Sequence, residues 1–448
     1  MHRIHRRHFL ATTAGALTAA AIRPTYGDPP PVVNPRATDG DSRHEPNWDQ
    51  RLTVSVGIER GDLVGSDDKV VQAALDYVAR LGGGTVRVSP GKFTFRNAVH
   101  LPKQVRLRGS GPETIFTKIA SEKVAFAKDS DWYDREITLE DAAGFRVGDG
   151  VVLTATNVDN GSREVLKRTL VARSGNRFLL DRGLRRNLWL SGNPQCASLF
   201  PLLTGLNTAD VVIEDLQLDG NLANNENLNG NYGGGIFFQD SQRLTFRDVV
   251  AGNYNGDGIS FQICHDVTVE NCHSHDNADL GVHPGSGSQR PVLRGNRLQR
   301  NSIGLFWCWG VKFGLAENNR IMGNRRFGIS IGHNDTDNVM RHNEITDSGE
   351  VGILFRNDER GHDFWANRNV VEQNRIVDSG GSDGVAIDVR GKTHDVRLAE
   401  NELHETRRPM NRTGIRIATD AERIELSKNK IEGFAVAVQD QRGPLGKP

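Results

Sequence analysis

The sequence predicts an all-β chain wound as a single-stranded parallel β-helix, and two repeated phrases carry that prediction. The first is a five-residue phrase led by Gly235, Gly258, Gly281, Gly304, Gly328, Gly352, Gly384 and Gly414, at steps of 23, 23, 23, 24, 24, 32 and 30 residues. A period in the low twenties built on short alternating strands marks a solenoid. The first and third residues after each glycine are almost all apolar and point into one core; the second and fourth vary widely and point out. The second phrase, an apolar residue followed four positions later by Asn, runs out of phase: Val267 to Asn271, Val292 to Asn296, Leu315 to Asn319, Val339 to Asn343 and Val370 to Asn374, with Asn401 and Asn429 continuing it. Asn tolerates the left-handed backbone of a tight corner and bonds its neighbours, so stacked coils place these amides in a ladder. A β-sandwich with strands at similar spacing would not need both residues at fixed offsets.

The elements follow in chain order. Residues 1–21 carry Arg6-Arg7, which resembles the twin-arginine export motif, then an apolar run too short to span a membrane and a small-residue cleavage site at Ala19-Ala20-Ala21. This predicts a signal peptide and a periplasmic or secreted protein with no membrane span in the mature chain. Residues 22–50, rich in Pro, Asp and Gly, read as a flexible linker. Within 51–121, Lys69 to Leu81 has helical spacing and ends at three glycines, and Thr85-Val-Arg-Val and Val105-Arg-Leu-Arg read as strands. Residues 122–200 break the rhythm and read as a β-rich insertion beside the helix, one wall of a groove. The repeats occupy 201–442, and 443–448 reads as a disordered tail. Cys196, Cys264, Cys272 and Cys308 have no metal-like spacing and read as mostly buried free thiols. Zero formal net charge excludes general nucleic-acid binding. Oligomeric state is left open.

The segment from Val70 to Phe93 with Val99 to Gly111 resembles the opening of the pectate-lyase-like superfamily of right-handed β-helices, in the version found in rhamnogalacturonases and related epimerase-associated domains. The resemblance covers residues 52–120 and returns as generic repeats over 205–440. It implies a right-handed coil with an N-terminal capping helix. The superfamily holds lyases, hydrolases, epimerases and non-catalytic spikes, so it implies no single reaction.

Stacked coils lie about 4.8 Å apart, so outward residues of the glycine phrase form columns. Titratable and aromatic groups crowd neighbouring rungs there: His283, His333, Asp335, Arg356 and Asp358 as catalytic candidates, with Asp257, Gln262, Trp309, Asp388 and Arg390 as substrate-binding candidates. Alternation turns Trp307 inward and Trp309 outward. The phrase around His283 is similar to the Gly-Phe-Asp-Pro-His segment of mannuronan C5-epimerases, with His283 in place of the Asp and Gly285 in place of the His. The run Gly328 to His333 is similar to the Gly-His-Gly-Ile-Ser-Ile-Gly stretch of polygalacturonases, with the histidine after the strand rather than before it. The leading expectation is an exported enzyme acting on an acidic polysaccharide by removing the C5 proton, as a lyase or an epimerase. His283 takes the proton, Arg356 holds the carboxylate, and His333 or Asp335 handles the second proton. The alternative is a polygalacturonase-like glycoside hydrolase using Asp335, Asp358 and Asp388, since carboxylates one or two coils apart bracket the roughly 5 to 10 Å such enzymes need. A third reading is a non-catalytic carbohydrate-binding scaffold. Asn334 to Asn338 is a candidate oxygen cradle for Ca²⁺; no other metal or cofactor is implied. The stretch 290–326, with eight basic residues and one acid, would suit an anionic polysaccharide.

Overall fold

The computed structural model describes residues 28–32, 45–408 and 410–443. The expected export signal, much of the expected linker and residues 444–448 lie outside the described residues. The repeats wind into a parallel β-helix. One wall is an eleven-stranded parallel sheet running from Val99–His100 to Val436–Asp440; the other strands of the coils join in a 22-stranded sheet. Register is set by the inward residue after each glycine. Ile236 lies opposite Ile259, then Val282, Leu305, Ile329, Ile353, Ile387 and Ile415 follow rung by rung, and all are fully buried. A one-residue slip would turn this column to solvent, so burial fixes the register.

At the corner, the amides stack as a hydrogen-bonded ladder. Asn296 Nδ2 donates to Asn319 Oδ1 at 2.9 Å, and the same bond links Asn319 to Asn343, Asn343 to Asn374, Asn374 to Asn401 and Asn401 to Asn429. Two details differ from the sequence reading. The left-handed residue is the one before each ladder position (Gly295, Asn318, His342, Gln373), while the ladder Asn itself is buried. Asn271 therefore falls on that left-handed position opposite Gly295, and Cys272 occupies the rung, its N–H donating to Asn296 Oδ1 at 2.9 Å.

The N-terminal end is closed by the helix Asp68–Arg80, capped by the Asp67 side chain and packed through Val71, Ala74, Leu75 and Val78. Residues 45–50, assigned by composition to the flexible linker, are instead fixed. Trp48 is buried under the Arg51 and Arg106 guanidiniums, and Glu45 pairs with Arg247 at 2.7 Å. An aromatic ring and an ion pair pin the chain where Pro and Asp content suggested none. The insertion forms a six-stranded antiparallel sheet from Lys123–Ala125 to Gln195–Ala197 with its own core of Phe126, Leu139, Phe145, Leu153 and Phe178. It walls the first coils rather than the central ones. All four cysteines are free; Cys196, Cys264 and Cys272 are buried and Cys308 is half-buried. Among the described residues no helix is long and apolar enough to cross a membrane.

The basic stretch 290–326 is largely neutralised by neighbouring coils. Arg290 pairs with Asp266 at 2.6 Å, Arg294 with Glu317 at 2.7 Å, Arg300 with Asp276 at 2.6 Å and Arg326 with Glu350 at 2.9 Å. These pairs knit rungs together and leave little free charge there for a polyanion.

Candidate active site

The outer face of the eleven-stranded sheet carries an irregular column. Its rungs are Phe237, Ser260 and His283, then Phe306, Ser330, Leu354 and Asp388. Asp257 opens the strand Asp257–Gln262, one coil before His283. Its Oδ2 lies 2.7 Å from His283 Nδ1, and its Oδ1 accepts the Leu280 N–H at 3.1 Å. Both residues are almost wholly buried. Gly230, in the loop over this spot, makes the burial feasible: a β-carbon there would collide with the Asp257 carboxylate. The Gly230 carbonyl accepts the Ser260 hydroxyl at 2.8 Å, and Gln262 Nε2 donates to the Ser260 Oγ at 3.2 Å.

Burial disfavours a charged His283, but the Asp257 carboxylate outweighs it, and the neighbouring Cys308 also favours the cation; the imidazole is pushed up to about 10. His283 is therefore an imidazolium near neutral pH. This corrects its expected role as proton acceptor. Its Nε2 is left without a hydrogen bond, as are Gln262 Oε1 and Arg356 Nε. Cys308, which sequence reasoning read only as a buried thiol, sits opposite Gly285 on the next coil and reaches this ring. The signal that could have found it is register: it is two residues past Phe306, as Gly285 is two past His283.

Arg356 lies flat along the same face. It crosses the Phe306 ring at 4.4 Å, donates to Ser330 Oγ at 2.9 Å and reaches the Trp307 carbonyl at 3.1 Å. Gly332 gives it room, since a β-carbon there would strike the guanidinium. Phe306 also stands edge-on to His283, with centroids 5.3 Å apart, so one aromatic ring bridges the two cations. Asp358 flanks Arg356 at 3.7 Å. His333 sits on the turn beyond, between Trp309 and Phe364 at 5.0 and 5.5 Å, its Nδ1 accepting the Arg360 N–H. Trp307 is fully buried, whereas Trp309 is 39% exposed beneath the Arg360 guanidinium.

His283, Arg356, Asp358, His333, Trp309, Asp257 and Gln262 thus share one side of the molecule. Two other carboxylates have different employment. Asp335 is fully buried and accepts backbone N–H groups from Gly310, Val311 and Gly332, each at 2.9 Å; burial raises its pKa against the opposing pull of Arg356 and those amides. Its two oxygens are committed to those three amides, which fasten turns, and to Arg356 at 3.6 Å, and this commitment argues against the proton-handling role. Asp388 is buried between Arg390 at 2.7 Å and Arg416, whose Nε is 3.0 Å away, so Asp388 and Arg390 neutralise each other. A hydrolase drawing its acid and base from Asp335, Asp358 and Asp388 is left with Asp358 alone. In the proposed Ca²⁺ cradle, Asp335 is committed to amides and Asp337 to Arg368 at 2.8 Å, so their oxygens do not converge. Among the described residues no group of three or more His, Cys, Asp or Glu gathers as a metal site.

A family model described as a right-handed β-helix region matches residues 216–364. No curated protein sequence matches the chain. Among solved structures, the A-module of the Azotobacter vinelandii mannuronan C-5 epimerase AlgE4 is similar at 16% identity and TM-score 0.51, over 87% of this chain and 100% of that one. The AlgE6 A-module from the same organism is similar at 15% identity and TM-score 0.51, over 83% of this chain and 91% of that one. An exopolygalacturonase from Thermotoga maritima follows at 14% identity and TM-score 0.49, over 87% and 94%. The fold is a right-handed parallel β-helix of the pectate-lyase-like kind.

Proposed function

We propose that this right-handed β-helix is an exported enzyme that removes the C5 proton of a uronate residue in an acidic polysaccharide, ending in β-elimination or C5 epimerisation. One observation supports this above the rest: a buried imidazolium and a guanidinium flank the same aromatic ring on one outer column. The C5 proton is acidic only if the adjacent carboxylate can take up the electrons left behind. Two fixed cations at that carboxylate stabilise the resulting dianionic enediolate more than the ground state, which is what lowers a barrier. Arg356 clamps the carboxylate, and Asp257 keeps His283 charged beside it. The acceptor is then the sulfur of Cys308, the group that faces His283 from the next coil. In elimination the C4–O4 bond breaks as the C4–C5 double bond forms, and His283 donates a proton to the leaving oxygen. In epimerisation a proton returns to C5 from the opposite face, with His333 as donor. The apolar faces of Phe306 and Trp309 suit a sugar ring. The structural likeness to two mannuronan C-5 epimerase modules favours a uronate polymer as the class to try first.

The test is incubation with polymannuronate and polygalacturonate in D₂O. An epimerase is expected to leave deuterium at C5, seen by NMR; a lyase is expected to leave an unsaturated uronate, whose C5 carries no hydrogen. New reducing ends without deuterium or unsaturation would mean hydrolysis and sink the proposal.

A further inference from the structure

A second site lies at the N-terminal end of the same column. The antiparallel insertion leans over the first coils and encloses a cavity of about 430 Å³ between Lys167, Arg168 and Arg182 on one side and Phe200, Leu206 and Phe237 on the other. That volume suits one or two sugar units. Three cations and one acid, Asp181, line it. Lys167 Nζ sits 3.9 Å above the Phe237 ring, and among the described residues no carboxylate pairs with it. Arg168 donates only to neutral carbonyls, those of Lys167, Gly183 and Leu184. Asp181 is 3.8 Å from Arg182, and its Oδ1 is taken by the Thr169 N–H. The positive charge is thus poorly compensated and stands over an apolar floor.

We propose that this cavity binds a carboxylate- or sulfate-bearing sugar, its anionic group held by Lys167 and Arg182 and its ring resting on Phe237. The glycan would be the same acidic chain that His283 and Arg356 act on, and to that extent the inference rests on the reading above. Phe237 is two rungs from His283, about 10 Å along the column, a distance a short oligosaccharide spans. The cavity would therefore hold the flanking residues of the chain and fix which unit reaches His283.

Burial and then the charge of Arg182 push the Lys167 amine down to about 7. Arg168, Asp181 and His100 complete the charged or titratable lining. An anion bound there restores the proton, so binding is coupled to proton uptake in mildly alkaline solution.

The experiment is calorimetric titration of the full chain with a galacturonate trisaccharide, its methyl ester and inorganic sulfate, in two buffers of different ionisation enthalpy. Wild type is expected to bind the free acid with proton uptake and the ester at least about tenfold more weakly. Lys167→Gln should lose both the affinity and the proton uptake. Arg182→Gln, at a side chain already 56% exposed and safe for folding, should weaken the acid several-fold and leave the ester unchanged. Sulfate binding as tightly as the trisaccharide would mean an anion site without sugar recognition and overturn the glycan assignment. Equal binding of acid and ester, or no change in either variant, would overturn the site. C5 exchange with Lys167→Gln unaffected sinks only this subsite; trisaccharide binding without exchange sinks only the reaction.

Discussion

The Asn corner and the outer column are built from the same coils on opposite plans. Along the corner, one residue type repeats from Asn296 to Asn429, and every internal amide both donates to the next rung and accepts from the last. Along the column from Ser260 to Asp388 no two neighbouring rungs agree, and Gln262 Oε1, His283 Nε2 and Arg356 Nε make no hydrogen bond. A buried polar atom without a hydrogen bond costs about 1–3 kcal/mol. A solenoid that satisfies its corner so thoroughly could satisfy its face equally well. The three on the column are the atoms that the proposed substrate would satisfy. The corner uses repetition for stability; the column gives up repetition, as the proposed chemistry requires.

The largest effect should come from breaking the column at its buried pair. Asp257→Asn keeps the shape but removes the charge that holds His283 protonated, and His283→Gln removes the imidazolium itself. Each is expected to cut C5 exchange by about 10²–10⁴-fold. The pH profile sharpens the point. The folded His283 pKa is raised from 6.5 to about 10, so the pair's contribution to stability is complete below the ordinary histidine range and is lost as pH rises through about 10. Wild-type activity should hold until that alkaline limit. In Asp257→Asn burial is opposed by Cys308 without the carboxylate, and the limit should move well below it. An alkaline limb that stays in place would show that the charge on His283 is not needed.

A substitution at the corner should do the reverse. Asn343→Ala strips the acceptor from the Asn319 N–H and side-chain amide, and the donor from Asn374 and the Ala316 carbonyl. Unfolding in urea should report a loss of about 2–3 kcal/mol. C5 exchange per folded molecule should not change. If it fell in proportion, the corner and the column would be mechanically coupled and the contrast drawn above would fail.

The same contrast explains what the residues disclosed in advance. Repetition is visible in a single sequence, so the glycine phrase gave the inward column rung by rung, and the winding follows from it. The amide ladder was legible too, except at its start. There Asn271 and Cys272 compete for one rung, and only pairing with Gly295 and Asn296 decides between them. The site was half legible. Outward positions could be enumerated, which gathered His283, Arg356 and Asp358. Depth could not: nothing in the letters around Asp335 or Asp388 says that one is buried under three amides and the other held by two arginines. Nor does spacing show that Gly230, contributed by a loop outside the repeat, leaves room for the Asp257 carboxylate, or that this carboxylate turns His283 from a base into a cation. Cys308 was missed because thiols were judged by spacing to one another rather than by register to a histidine. Lys167 was missed because it belongs to the insertion, where no repeat predicts who meets whom.

The smallest effect concerns a residue that sequence assigned to the column and structure to the frame. Asp335 receives three backbone amides, two on Oδ1 and one on Oδ2. Asp335→Asn can keep the oxygen that serves Gly310 and Val311, but it then turns its own NH₂ towards the Gly332 N–H. One lost bond and one donor facing a donor should cost about 1–2 kcal/mol, with C5 exchange unaltered. Asp335→Ala should cost more, because all three N–H groups are left bare. The ratio of the two is informative whichever way activity goes. A frame residue loses stability in step with the number of amides orphaned, while a proton-handling residue loses turnover equally in Asn and Ala and melts unchanged. The second pattern would return Asp335 to the chemistry and show that the face opens further in solution than its burial allows.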